Sequence, residues 1–271
     1  VKINVLIGRM KNIFLLFIGL FYTVNSFADC RGEGLYIFPS GKTIKQNSVF
    51  VLDGYARSQD VILGLNKKYP IYLESGEQKV KLFVKETFVG QFELTQAILT
   101  LEKPLEAGLE YTLVIDNLPK TESLDRYNPK TNIYELIKFT VESGVDIEKP
   151  VITSSPKLID KSYAQYGCGP AMSVNFSFPV KDNSEIIIKT VVKNIKSGIE
   201  TTYCIVHQNK QIEVGHGMCS GAFIYGEGNE YEVAFSFMDA SGNITAWQGD
   251  RIKFTKPSAE HLDEWKKKKK K

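Results

Sequence analysis

Gly228-Asn229-Glu230-Tyr231-Glu232-Val233-Ala234-Phe235-Ser236-Phe237 alternates without a break. Tyr231, Val233, Phe235 and Phe237 fall on one side, and Glu232, Ala234 and Ser236 on the other. Successive side chains of an extended strand point to opposite faces, so this stretch reads as a strand with one buried face. An echo lies about 120 positions earlier, in Gly108-Leu109-Glu110-Tyr111-Thr112-Leu113-Val114-Ile115. Both copies run Gly-x-x-Tyr and then into an apolar strand. The interval is the size of a small domain, so the chain reads as two modules in tandem.

Outward from these two stretches the pattern stays that of short strands. Leu35–Phe38, Val49–Leu52, the Val80/Leu82/Val84 alternation with its lysine-rich outer face, and Ile137/Phe139/Val141 read as strands of the first module. Val61–Leu65 is a short apolar run, and residues 119–132, polar with two prolines, read as a long loop. In the second module, Met172/Val174/Phe176/Phe178 share a face, and Glu185–Val192 is a β-branched run suited to a central strand. Thr201–Val206 and Gln211–Val214 read as a hairpin around residues 207–210, followed by Ala222–Tyr225 and a last strand through Phe254. Even spacing of short strands with Gly, Pro and Asn between them predicts an all-β fold of two β-sandwiches. The expected boundaries are a signal peptide over 1–28, modules over 29–144 and 150–256 joined by a linker over 145–149, and a polar tail over 257–271. Ser258 is a candidate N-cap for a short helix at the start of that tail.

The first residues point to export. Met10-Lys11-Asn12 precedes the apolar run Ile13–Phe21, and Ser26-Phe27-Ala28 is a small-x-small cleavage site. The apolar run is short for a permanent span, so the mature chain is expected in the periplasm or outside the cell, with no stable membrane insertion. Asp29 stands where a lipidated Cys30 would be preceded by a small residue, which argues against a lipid anchor. Without residues 1–28 and the Lys266–Lys271 tail, 25 bases stand against 31 acids. An acidic body argues against a nucleic-acid surface.

At this point the chain resembles a pair of bacterial immunoglobulin-like domains of exported proteins, or equally a pair of fibronectin type III modules. The resemblance rests on Phe38-Pro39-x-Gly41, the Val49–Leu52 strand and Pro104-Leu105-x-x-Gly108-x-x-Tyr111 in the first module. In the second it rests on Gly228-x-x-Tyr231 and Asp239-Ala240-Ser241-Gly242-Asn243. A tyrosine entering a late strand through a turn is similar to the tyrosine corner of such sandwiches. The resemblance implies spacing, display or adhesion, and it brings no catalytic residues.

Four cysteines, Cys30, Cys168, Cys204 and Cys219, allow three pairings in an exported protein. Cys168 with Cys219, both in glycine-flanked turns, is the expected bridge. Cys204 with Cys219, and a bridge reaching Cys30, stay open. The rival reading is metal: Cys204-x-x-His207 and His216-x-x-Cys219 offer four zinc-type ligands around the expected hairpin. Against it, residues three apart on a strand face opposite ways.

No His-Glu-x-x-His, Gly-x-Ser-x-Gly or phosphate-cradling glycine loop occurs, and histidine appears three times in all. The expectation is a non-enzymatic binding or structural module without cofactor, contacting a cell-surface protein or glycan. The alternatives are the zinc domain and an accessory domain of a carbohydrate-active system. Trp247, Tyr163, Tyr166 and Tyr225 are the candidate contact residues, since Tyr and Trp are enriched where binding energy concentrates.

Overall fold

The structure is a computed structural model that describes residues 34–206 and 211–261. The segment read as a signal peptide, Cys30, His207 and the lysine tail lie outside the described residues. The N-terminal half comprises β1 (Gly34–Phe38), β2 (Thr43–Lys45), β3 (Phe50–Tyr55), a short helix α1 (Gln59–Leu63), β4 (Ile71–Ser75), β5 (Gln78–Val89), β6 (Leu94–Leu101), β7 (Glu110–Ile115), β8 (Asp125–Asn128), β9 (Ile133–Leu136) and β10 (Lys138–Glu142).

Eight of these strands follow the order β1-β3-β6-β5-β4-β7-β10-β2. The long β5 connects the two parts. Its first residues pair with β4, its later ones pair with β6, and a bulge interrupts the second ladder between Val84 and Glu86. A bulge bends a strand and increases its twist, which lets one ribbon supply two facing layers. Between them pack Phe50, Leu52, Leu73, Leu82, Leu99 and Phe139. The alternation read from β5 holds, with Val80 and Leu82 buried and Lys79, Lys81 and Lys85 exposed.

The stretch expected as a long loop contains β8, which pairs with β9 as a small hairpin in the register Arg126↔Glu135 and Tyr127↔Tyr134. Neither strand buries a face, so the apolar alternation that marks other strands is missing here. The Val61–Leu65 run is largely α1, where consecutive Val61 and Ile62 are both buried, as one side of a helical turn permits and one face of a strand does not.

The C-terminal half comprises β11 (Val151–Ile152), β12 (Leu158–Tyr166), β13 (Gly169–Ser177), β14 (Val180–Lys181), β15 (Ile186–Asn194), β16 (Glu200–Val206), β17 (Gln211–His216), β18 (Glu230–Asp239), β19 (Ile244–Ala246) and β20 (Ile252–Thr255), then a 3-10 turn at Ala259–His261 where a short helix was expected. A three-stranded sheet β12-β13-β17 faces a five-stranded sheet in which β16, β15, β18 and β19 are neighbours and β20 also pairs with β18. β15 is central, as its β-branched run predicts.

The hairpin expected between 201 and 214 is not formed. β16 pairs with β15 and β17 pairs with β13, so the two strands belong to opposite layers. Each has an inward face, Tyr203 on one and Ile212 and Val214 on the other, and both faces are buried in the common core. Ala222–Tyr225 is not a strand either; Phe223 and Tyr225 are buried from a loop.

Both Gly-x-x-Tyr stretches form the corner their sequences suggest. Tyr111 and Tyr231 are buried, while Gly108 and Gly228 before them adopt positive φ, the conformation glycine enters without a Cβ penalty. The Tyr111 hydroxyl accepts from the Glu106 N–H five residues upstream and donates to Gln78 Oε1. The Tyr231 hydroxyl is bonded by the Gly226 backbone and by Asn194 Nδ2. No described helix is long and apolar enough to cross a membrane.

Candidate functional site

The two halves meet across a buried seam. Phe38, Val49, Val51 and Ile98 from one side pack with Ile187, Cys204, Met238 and Ala240 from the other. At its centre Gln96 on β6 reads the backbone of Cys204: its Oε1 accepts from the Cys204 N–H at 2.8 Å and its Nε2 donates to the Cys204 carbonyl at 3.0 Å. The same Nε2 donates to Asp53 Oδ1 at 2.9 Å. Burial pushes the Asp53 carboxyl up to about 7, against the opposing pull of the Gln96 bond.

The rim of the seam is polar. Glu86 and Lys189 form an ion pair at 2.5 Å, and the Glu185 carboxylate accepts from the Ser40 hydroxyl, the Ser40 N–H and the Gly41 N–H. A Cβ on Gly41 would lie 2.8 Å from Glu185 Oε1, so a side chain there would push that carboxylate aside. At the other end the Gly221 N–H donates to the Phe92 carbonyl, and the Gln91 N–H to the Ala222 carbonyl. Phe92 meets the His216 ring edge-on at 5.6 Å. His216 is held neutral by burial, its pKa lowered despite a contact with the Gly217 carbonyl.

The connecting stretch is tied to both halves. Asn47 Nδ2 and Asn243 Nδ2 both donate to the Asp146 carbonyl. The carboxylates of Asp146, Asp182 and Asp239 come together here, with ligand atoms within 4.8 Å of one another, close enough to share a cation. Asp239 is fully buried, and its oxygens already accept from the Ser241 and Asn243 N–H groups and from Asn243 Nδ2. Those bonds make it the internal brace of the Asp239–Asn243 turn.

The rival zinc set, whose His207 lies outside the described residues, is not gathered among the rest. Cys204 is buried in the seam, and Cys204, His216 and Cys219 do not fall in a common cluster of ligand atoms among the described residues. The reason is the layer change between β16 and β17, which replaces the hairpin that was to bring them together. The expected Cys168–Cys219 bridge is not formed, nor is Cys204–Cys219: Cys168 is exposed beyond β12 and Cys204 is a buried thiol. Cys219 is disulfide-bonded, but no bridge joins two described cysteines, and the expectation about Cys30 lies outside the described residues. Burial in apolar surroundings pushes the Cys204 thiol far up, so it is an inert packing group.

The expected contact residues scatter. Tyr225 is buried and donates to the Val214 carbonyl. Trp247 is only partly exposed, with its ring N–H turned inward and its ring against Gly249. Tyr163 and Tyr166 lie on β12, the former partly buried and the latter exposed.

The surface aromatics that do stand out were missed because one sits in the segment read as loop and the other just beyond it. Tyr127 and Tyr134 face each other across the β8–β9 hairpin with ring centres 5.4 Å apart and exposures of 47% and 71%. The Tyr127 hydroxyl donates to Asn132 Oδ1, which fixes one ring. Beneath the hairpin runs a groove of about 720 Å³ against the β2–β10–β7 edge. Arg126 crosses it to donate to the Ser40 carbonyl, so the groove wall is tied to the residue that Glu185 grips from the C-terminal half.

No family model matches the chain, and no curated protein does. Among solved structures, it is similar to parts of larger proteins. A pullulanase from Anoxybacillus sp. LM18-11 complexed with maltotriose shares 7% identity, with 73% of this chain and 24% of that one covered and a TM-score of 0.22. Pullulanase type I from Bacillus subtilis str. 168 complexed with maltose shares 10%, with 78% and 23% covered and a TM-score of 0.23. The chain thus spans about a quarter of the length of these structures.

Proposed function

We propose that this chain is an exported, non-enzymatic binding and structural module of two immunoglobulin-like units, contacting a glycan or protein at a cell surface. The observation that carries the reading is the exposed Tyr127/Tyr134 pair, presented on a hairpin that is braced through Arg126 and Ser40 to both halves. Paired exposed aromatics mark contact surfaces more often than chance surface exposure does. A braced hairpin also loses little conformational freedom on binding. The chemistry-bearing side chains support the same reading, since His216 and Cys204 are enclosed in packing.

The test is saturable binding of the labelled exported chain to cell-envelope preparations, run beside a hydrolysis assay on a polysaccharide panel. Binding that drops in Tyr134→Ser at unchanged thermal stability is the expected result. Turnover of any polysaccharide overturns the reading.

A further inference from the structure

The groove beneath the hairpin has a charge and a lining that select among ligands. Four cations line it: Lys42, Arg126, Lys130 and Lys138. Lys138 is paired with Glu110 at 2.9 Å. That leaves three cations against one carboxylate, Glu135, in a body whose folded part is acidic overall. Asn128 and Thr131 bond the Glu135 carboxylate and hold its pKa below the usual range, so it stays charged and keeps an oxygen for further donors.

Arg126 uses one nitrogen on the Ser40 carbonyl, and its guanidinium has further donors in a fork that fits a carboxylate. The Thr140 hydroxyl, the second N–H of the Asn128 amide beside the one given to Glu135, and the accepting lone pair of the Ser40 hydroxyl that donates to Glu185 add directional groups along the same groove. Its volume of about 720 Å³ lies within the range of small-ligand sites. Tyr127, on its wall, offers a flat apolar face with a fixed polar tip.

We infer that the groove between the β8–β9 hairpin and the β2–β10 edge binds an acidic oligosaccharide, a short chain of sugars carrying carboxylates. A ring face of such a ligand stacks on Tyr127 at the groove wall, its hydroxyls meet Asn128 and Glu135, and its carboxylates meet Arg126, Lys42 and Lys130. Directional polar groups beside a flat ring suit a hydroxyl-rich chain. A peptide would need enclosed apolar pockets for its anchoring side chains, whereas Leu136, the aliphatic residue at the rim, is 62% exposed. This inference rests on the binding-module reading above and names its ligand class.

The experiment is calorimetric titration of the exported chain with tetragalacturonate, with maltotetraose as the neutral probe and polyglutamate as the acidic peptide probe. Tetragalacturonate is expected to bind, and more weakly at about 300 mM than at about 50 mM salt, because screening weakens exposed charge contacts. Lys42→Gln with Lys130→Gln should weaken it about fivefold, and Tyr127→Ser about tenfold, as loss of exposed charge and ring contacts predicts. Both variants alter exposed side chains, and unchanged melting temperatures will establish that they fold.

Equal affinity for maltotetraose, equal affinity for polyglutamate, or binding unmoved by both variants would each overturn the inference. Absence of binding to all three probes by a chain that still saturably binds envelope preparations would overturn this inference alone. Hydrolysis of tetragalacturonate would overturn the binding-module reading as well.

Discussion

The two halves enter a late core strand through the same corner and pack different material beneath it. Around Tyr111 the core is mainly aliphatic, with Leu73, Val80, Leu105 and Val141 in the cluster. Around Tyr231 it is aromatic: Tyr225 lies edge-on at 5.1 Å, Phe254 is stacked at 5.7 Å, and Phe176 and Phe235 continue the cluster. The corner is therefore a backbone device, a glycine at positive φ and a hydroxyl caught by an N–H upstream. It works whatever fills the interior. What fills the interior decides how much a lost side chain costs, since rigid rings leave a gap that neighbours cannot easily close.

The largest effect should come from the aromatic side. Phe235→Ala removes a ring packed against Phe176 and Phe237 and should cost about 3–5 kcal/mol in urea unfolding. Leu52→Ala in the aliphatic core should fall at or below that. If Leu52→Ala costs clearly more, the contrast between the cores is wrong.

Next is the seam that joins them. Gln96→Ala strands the buried N–H and carbonyl of Cys204 and should cost about 2–4 kcal/mol by the same measurement. Two unfolding transitions in that variant, where the parent chain shows one, would mean that the seam couples the halves.

The corners themselves should cost less. Tyr111→Phe and Tyr231→Phe each remove only a hydroxyl and should lose about 1 kcal/mol apiece. A wide gap between them would show that one tyrosine is a core residue rather than a corner.

A pH-dependent effect stands apart from these losses at fixed pH. Asp53 has a folded pKa of about 7, above the usual value of about 4 in an unfolded chain. Between those values the folded state holds more protons, so this group lowers stability as pH rises through the window and has no further effect above it. Asp53→Asn should flatten the slope of the urea midpoint between about pH 4 and pH 7. His216, with its pKa lowered, acts oppositely: its contribution is present above the ordinary histidine range and is lost as pH falls through it.

Strands with one buried face were legible because burial writes a period of two into the chain, as in β5, β13 and β18. The corner tyrosines were legible for the same reason, with glycine marking the turn. The pairing of β16 was not. Tyr203 and Ile212 look alike in sequence whether their strands share a layer or face each other across the core, and the zinc set and the Cys204–Cys219 alternative, both drawn across that hairpin, failed with that ambiguity. The β8–β9 hairpin was invisible because its apolar residues, Tyr127, Ile133, Tyr134 and Leu136, are the exposed ones while Arg126, Asn128 and Glu135 are half-buried, so no apolar burial pattern marks it. Trp247 and Tyr225 were misjudged because an aromatic ring near a loop carries no sign of which way it turns.

One further property follows from β10 running parallel to β2, with Thr140, Val141 and Glu142 beside Thr43, Ile44 and Lys45. A force that draws the chain before Thr43 away from the chain after Glu142 slides these neighbours lengthwise in opposite directions. Their bonds are then strained together rather than peeled one by one. The β2–β10 pair thus resists such a pull in shear, and β1, which precedes it and pairs with β3, stands between β2 and any force applied further upstream.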